Sequence, residues 1–445
     1  TGYEQKIQTQ HKLSLDQLYW RRHTIENKLK GDAERFKQEY PLCLAGETRI
    51  GTGIGLIPIS EVRPGMAATL CSVDGFWPRG EADVFKATTA LGYEVTGTAA
   101  HPMKTTKGGF VSLVDSVGTS VSLLQPRLAE YTYAARWKYQ GAVRCFTEIT
   151  EDWGRFLGYF MGDGSFDGKA LSFCCNGKDV DVVEDIKSLV RELFGLEMQG
   201  RTVGTKGGGT EVRVSSKGIR DTLVGLGCVT GIGGSWKRCV SVPECIWRSP
   251  GPVVKEFLRG LFESDGFNDY SHSRVMMFSK HDRFIRDVQL LLLCFGITSR
   301  LSWVKKVAGN GTEYIGNELA LRKEEATAFN ESIGFVSQRK SSRYAVCQGT
   351  RQHPNQLPMR MSDAVVSVKP AGRTEVFDIR VSGDHTFDAN GIHVHNSDIE
   401  AFLTSGRGRF DRERVMAWPI DDPMRGFLQQ EDSFGDGAIS FIPQR

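Results

Sequence analysis

A stretch in the middle of this 445-residue chain is written twice. FLGYFMGDG at 156 to 164 matches FLRGLFESDG at 257 to 266, which sets Asp163 and Asp265 102 residues apart. FCCNGKD and FSKHD place Lys178 and Lys280 at the same spacing, and the helices that follow end in Phe194-Gly195-Leu196 and Phe295-Gly296-Ile297. Three matches in register identify an internal duplication, each half reading as helix, strand, strand, helix with further strands interposed. Gly158 and Gly162 in one repeat, and Gly260 and Ser264 in the other, are small residues at i and i+4, so the two helices are expected to pack with their backbones close. Asp163 and Asp265 then converge where both helices stop. An acid at a helix C-terminus opposes the dipole and repels its twin, a double penalty that makes sense if a divalent cation is shared. The expected chemistry is metal-assisted phosphodiester cleavage. Asp-Gly is also an ordinary helix stop, but two in register favour a site.

The length predicts two to four domains. Apolar residues at 40%, charged residues at 24% and a mean hydropathy of -0.29, with no run of eighteen apolar residues, exclude a membrane-spanning helix from the expected fold. The first thirty residues lack the apolar stretch of a signal peptide, so a cytoplasmic location is expected. The net charge of +3 confines any nucleic-acid surface to a local patch. Ten cysteines occur without a C-x-x-C pair, which favours reduced thiols over structural zinc. Fifty glycines indicate many turns and a sizeable β component.

Texture changes along the chain. Residues 1 to 42 read as helical, with a capping box at Ser14-Leu15-Asp16-Gln17 and an apolar face of Leu15, Leu18, Ile25 and Leu29. From Cys43 to about residue 145 short alternating strands are cut by Gly, Pro and Asp. Helices and strands mix from 151 to about 345, and β alternation returns after the polar CQGTRQHPNQLP, in AVVSVKPAG and EVFDIRVSG. The last stretch, 397 to 445, opens with a helix start.

The duplicated pattern resembles the two-motif LAGLIDADG homing endonucleases over about residues 151 to 345. The resemblance implies that Asp163 and Asp265 are catalytic, metal-binding residues for Mg2+, assisted by a lysine for which Lys280 or Lys178 is the candidate. It also implies double-stranded DNA as partner, read by β-strands in the major groove. The strand-like segments EVRVSSK and SRLSWVKKV bring Arg213, Lys217, Arg300, Lys305 and Lys306, with Trp303 among them. Each of these is a candidate for DNA contact or a solvated face.

The β segments on either side make sense together. CLAGETRIGTG opens with Cys43, Thr98-Ala99-Ala100-His101 follows, and the second segment, VFDIRVSGDHTFDANGIHVHNS, closes on His395-Asn396-Ser397. These stretches, roughly 43 to 150 and 357 to 396, resemble the splicing motifs of inteins, whose Hedgehog/intein (Hint) fold is a β horseshoe interrupted by an endonuclease at this point. The expected fold is therefore multidomain and mixed: an all-β Hint horseshoe (43–150 and 346–396) interrupted by an α+β duplicated endonuclease (151–345), with short helical host segments at 1–42 and 397–445.

Protein splicing needs four acyl-transfer steps. Cys43 would take the acyl group of Leu42 as a thioester, with Thr98 and His101 implied by the resemblance to supply polar contacts and a proton. Ser397 Oγ attacks the thioester to give a branched ester. Asn396 cyclises onto its own carbonyl, which His395 is placed to polarise. The resemblance assigns His385 and Asp378 to assisting cyclisation and activating Cys43. An O-to-N shift at Ser397 completes the exchange. Ala100 stands where Asn is common in the family, which removes one hydrogen bond to the first scissile peptide. No cofactor is expected for splicing.

Removing 43 to 396 joins EYPL to SDIEAFLTSG, where Ser397-Asp398-Ile399-Glu400 becomes a capping box. The joined text resembles the phage terminase large subunit between its ATPase and its nuclease. No Walker A sequence is present, so the ATPase is expected upstream of Thr1, in a bacterial host cell of the phage. A monomer is expected. The rival readings are Hint autoprocessing without ligation, a splicing element whose endonuclease has decayed into a DNA-binding or structural insert, and a plain nuclease with β extensions.

Overall fold

The computed structural model describes residues 42–139, 143–203, 208–232, 235–269, 273–307, 313–342 and 361–396. The helices expected in 1–41 and after Ser397, the nucleophile Ser397 itself and the linker 343–360 lie outside the described residues. No described helix is long and apolar enough to cross a membrane.

The two flanking segments build one β structure. Val73–Thr89 and Ser362–Val381 run antiparallel along most of their lengths, in a five-stranded sheet with Leu44–Ala45, Glu94–Gly97 and Ser120–Ser122. Leu44–Ala45 pairs with both Glu94–Gly97 and Ser362–Val381, so the chain just after Cys43 is gripped from either side. A second sheet is ordered Thr386–Ala389, Ile392–His395, Pro102–Lys104, Phe110–Ser112. Its register sets Val394 opposite Met103. In an antiparallel pair, residues after one partner lie beside residues before the other. That register therefore carries Asn396 toward His101.

The duplication is visible in three dimensions. Helix Glu151–Gly162 is followed by strands ordered Gly164–Phe166, Ala170–Asn176, Gly209–Ser215, Gln199–Val203. Helix Gly251–Asp265 is followed by strands ordered Gly266–Asp269, Arg274–Ser279, Glu313–Arg322, Arg300–Val307. The two four-stranded sheets share one topology. Helices Val180–Phe194 and Asp282–Leu293 occupy equivalent places between their second and third strands.

The leading helices pack backbone to backbone, as the small residues predict. A Cβ on Gly158 would stand 2.2 Å from the Phe257 carbonyl oxygen, and one on Gly260 would stand 2.4 Å from that of Arg155. Phe156, Leu157, Phe160, Phe257, Leu261 and Phe262 are fully buried around this contact. One expectation is corrected here: Lys217 is not on a strand. Ser216 accepts from the Ile219 N–H and caps helix Lys217–Gly225, in which Lys217 is the first residue. A Ser with a free backbone N–H three residues on is a stronger local signal than the β alternation that ends at Ser215.

Candidate active sites

Two constellations stand out, one in each part of the fold. In the β part, the peptide between Leu42 and Cys43 is buried and held on both sides. His101 Nδ1 lies 2.9 Å from the Leu42 carbonyl oxygen, and the Cys43 N–H donates to Thr98 Oγ1 over 3.0 Å. The Thr98 N–H in turn donates to the Cys43 carbonyl over 2.9 Å. Burial, outweighing the bond to Leu42 and joined by the charge on His395, holds His101 down at about 4, so its ring is neutral. A neutral Nδ1–H on that oxygen is a polarising donor to the carbonyl Cys43 would attack. The nitrogen of the same peptide is met by Thr98. Burial pushes the Cys43 thiol well up, and Asp378 adds to the effect while Arg79 opposes it. A thiol kept protonated in this way needs a base before it can attack.

The downstream end of the same fold is arranged alike. His395 Nδ1 lies 3.0 Å from the Asn396 carbonyl oxygen. With the Asn396 amide turned to satisfy both its atoms, its nitrogen donates to the His385 carbonyl at 3.2 Å, and its oxygen accepts from the Val381 N–H at 3.2 Å. The amide nitrogen is then 3.3 Å from His395 Nδ1. One imidazole nitrogen therefore reaches both the nucleophile and the carbonyl that Asn396 cyclisation would join. His385 holds its turn through Nδ1 to the Val381 carbonyl at 2.9 Å, with its own φ at +58°. A left-handed histidine is strained, and its carbonyl receives both the Asn396 N–H and the Asn396 amide. His101 and Asn396, both buried, flank the pairing of Met103 with Val394, so the two junctions lie near one another in this sheet.

In the duplicated part, Asp163 and Asp265 end the two leading helices, whose last turns touch: a Cβ on Gly162 would stand 2.3 Å from the Ser264 Cβ. Burial first, and then the charge on Asp163, pushes Asp265 up to about 6. Burial also raises Asp163, against the opposing charges of Lys340 and Arg238. Both side chains still reach solvent, as open ligands must. The cations whose charge acts on both carboxylates are Arg238 and Lys340, while Lys178 and Lys280 are exposed. Arg238 Nη1 donates to the carbonyls of Phe160 (2.9 Å) and Gly164 (3.0 Å), and also to that of Gly162. Lys340 Nζ donates to those of Phe262 (3.2 Å) and Gly266 (2.8 Å), and also to that of Glu263. Each cation caps the end of its own repeat's helix, where the dipole is negative. Both follow their aspartate by 75 residues. The signal was present: Ser235-Trp236-Lys237-Arg238 and Ser337-Gln338-Arg339-Lys340 continue the duplication at its own offset.

The carboxylate pair suits a divalent oxygen-seeking cation that keeps water and phosphate oxygens as its other ligands. No described group of three or more His, Cys, Asp or Glu forms a closed metal cage. On the sheets, Arg213 pairs with Asp167 at 2.7 Å and Lys305 with Glu313 at 2.8 Å, both at the surface. Exposed pairs of this kind are worth about 0.2–1 kcal/mol and yield readily to a phosphate. Arg300 is exposed at the start of its strand, Trp303 is 69% exposed, and the side chain of Lys306 lies outside the described residues.

Residues 252–334 match the family LAGLIDADG-like domain. The chain is 30% identical over 167 residues to a DNA polymerase of Thermococcus hydrothermalis, covering 35% of this chain and 10% of that protein. It is 26% identical over 279 residues to a DNA gyrase protein of Mycobacterium gordonae, covering 60% of this chain and 46% of that one. It spans less than two thirds of the length of either. Among solved structures it is similar to the homing endonuclease I-DmoI in complex with DNA and Mn, with 16% identity, 42% of this chain and 97% of that chain covered, and a TM-score of 0.30. It is also similar to a variant of the Ssp DnaB mini-intein, with 10% identity, 80% and 99% covered, and a TM-score of 0.24.

Proposed function

We propose that this chain is a self-splicing intein, residues 43–396, carrying a site-specific DNA endonuclease. The observation that carries the reading is a pair of buried histidines, His101 on the Leu42 carbonyl and His395 on the Asn396 carbonyl. Two backbone carbonyls about 350 residues apart in sequence, each met by a histidine beside a nucleophilic side chain, have a use if both peptides are broken. The chain's relatives support an insertion as well. A DNA polymerase and a gyrase share no common reaction, so partial likeness to both is what a mobile segment within each would produce.

In this reading Cys43 Sγ attacks the Leu42 carbonyl, whose developing oxyanion is held by His101, while Thr98 orients the leaving nitrogen. Ser397 Oγ takes the acyl group from Cys43, going from thioester to ester. Asn396 Nδ2 then closes onto its own carbonyl, polarised by His395, and the ester rearranges to an amide between Leu42 and Ser397. In the duplicated domain Asp163 and Asp265 would hold Mg2+, which supplies charge stabilisation to a phosphodiester under cleavage. Arg238 and Lys340 hold the helix ends that carry the aspartates. Double-stranded DNA is the substrate, with the uninterrupted host gene as its site. The host is proposed to be a phage terminase large subunit in the bacterial cytoplasm, and the element a monomer.

Mass spectrometry of the expressed chain tests the reading. The expected products are an excised segment from Cys43 to Asn396 and a peptide in which Leu42 is followed directly by Ser397. Hydrolysed fragments without that junction would replace splicing by autoprocessing.

A further inference from the structure

The strand Val73–Thr89 changes face in its middle. Its partner pairs Phe377 with Pro78 but Glu375 with Glu81, so Arg79 and Gly80 together oppose the single residue Val376. This is a β-bulge, and Gly80 has φ +75°. A side chain alternates faces along a strand, so one extra residue reverses which parity points inward. Before the bulge the odd residues share a face with Asp378: Trp77 stands directly opposite it. After the bulge the even residues do, and Ala82 and Val84 pack with Val376 against Cys43. An unbulged strand could present either Arg79 or the Ala82 and Val84 pair to this face, but not both.

The register brings the same face to Cys43. Leu44 opposes Phe377 and Ala45 opposes Val376, so one further step sets Cys43 beside Asp378. Arg79 Nη2 donates to Asp378 Oδ2 at 3.2 Å, with the carboxylate side chain 5% exposed. The guanidinium also lies 5.7 Å from the centre of the Trp77 ring, which Arg380 approaches to 5.8 Å. The charged groups acting on the thiol are thus Asp378 from one strand and Arg79 from the other, while Thr98 meets the N–H and His101 the carbonyl of the Leu42–Cys43 peptide.

Resting on the splicing reading, we propose that Arg79 is a positioning residue for the first step. Delivered by the bulge, it fixes the Asp378 carboxylate, ionised, against Cys43, so that Asp378 can take the thiol proton as sulfur attacks the Leu42 carbonyl. The proton passes from Cys43 to Asp378 and on to the nitrogen that leaves. Arg79 touches neither reacting atom.

The test is cleavage after Leu42 in the full chain carrying Asn396→Ala, driven by dithiothreitol across a pH series. Arg79→Met should lower the rate at neutral pH about tenfold and move the rising limb of the profile to higher pH by about one unit. The sign follows from charge: a cation favours the ionised forms of both Asp378 and Cys43, so its loss raises both. Arg79→Lys should recover part of the rate and of the pH position. An unmoved profile in Arg79→Met, or equal slowing by Met and Lys, would overturn the proposal in favour of simple packing. Should the Met variant aggregate, Arg79→Gln against Arg79→Lys decides: Lys faster supports the proposal, Lys equal to Gln overturns it. A parent chain that shows no thiol-driven cleavage removes the splicing reading itself, and this inference with it, whereas a defect limited to the Arg79 variants bears on Arg79 alone.

Discussion

The two candidate sites differ most in their access to water. Cys43, His101 and Asn396 are 1%, 1% and 2% exposed, while Asp163 and Asp265 remain open at the ends of their helices. A reaction on the chain's own backbone needs no entrance, because the substrate is folded in with the catalyst. Sealing such a site raises the effective concentration of the reacting groups and excludes water that would hydrolyse a thioester. A site for DNA cannot be sealed in the free protein. It holds two carboxylates close at an electrostatic cost that a divalent cation relieves. The difference also explains why the closed site rests on buried hydrogen bonds around a neutral His101 while the open one rests on exposed charge.

The largest expected effect breaks the closed site. Asn396→Ala removes the amide that cyclises, so release at the downstream junction should vanish, while thiol-driven cleavage after Leu42 persists. Cys43→Ala should do the converse for the upstream junction. Gel and mass analysis of the two variants side by side reads both bonds, and continued release before Ser397 in Asn396→Ala would refute the assignment.

How far the sequence went depends on the same contrast. The duplication, the close helix pair and both aspartates were legible, because Gly158, Gly260 and the Asp-Gly ends encode them locally and at a fixed offset. Arg238 and Lys340 were missed. Their work is done 75 residues downstream of each aspartate, through tertiary convergence that no local pattern announces, although extending the offset reaches them. Lys178 and Lys280 obey that offset and are exposed. At the closed site the motif resemblance named the residues that lie at the two junctions, but not the atom that His101 addresses. That depends on how two separate sheets meet at Leu42, which no local pattern encodes. Arg79 gave no signal at all, since a bulge is a property of a strand pair.

A second effect, nearly as large, opens the comparison from the other side. Asp163→Asn and Asp265→Asn keep the shape and remove an anionic ligand. Each should reduce double-strand cleavage of plasmid carrying the uninterrupted site by about 10³-fold or more, with DNA binding retained and splicing unchanged. Asp265→Asn should also raise the melting temperature, because it removes a carboxylate that burial and Asp163 both disfavour. Splicing lost together with cleavage would show that the two sites are not independent.

The smallest effect separates the sites by pH. His101 is held at about 4 by burial first, so its ring stays neutral when the solution is acidified through 6.5. The rate of thioester trapping after Leu42, divided by that of a small thioester under the same reagent, should show no midpoint near 6.5. Asp265 moves the other way, up to about 6. Its folded state binds the proton more tightly than the unfolded chain between about pH 4 and 6, so ionisation costs the fold stability as pH rises through that window. A divalent cation binds the ionised form and should restore that stability by mass action. Added Mg2+ is therefore expected to raise the melting temperature at pH 7.5 and to do so far less at pH 5, where Asp265 is protonated, with DNA cleavage falling off around pH 6. An equal Mg2+ shift at both pH values would show that the cation does not rest on Asp265, and a trapping midpoint at 6.5 would show that His101 titrates as an ordinary exposed histidine.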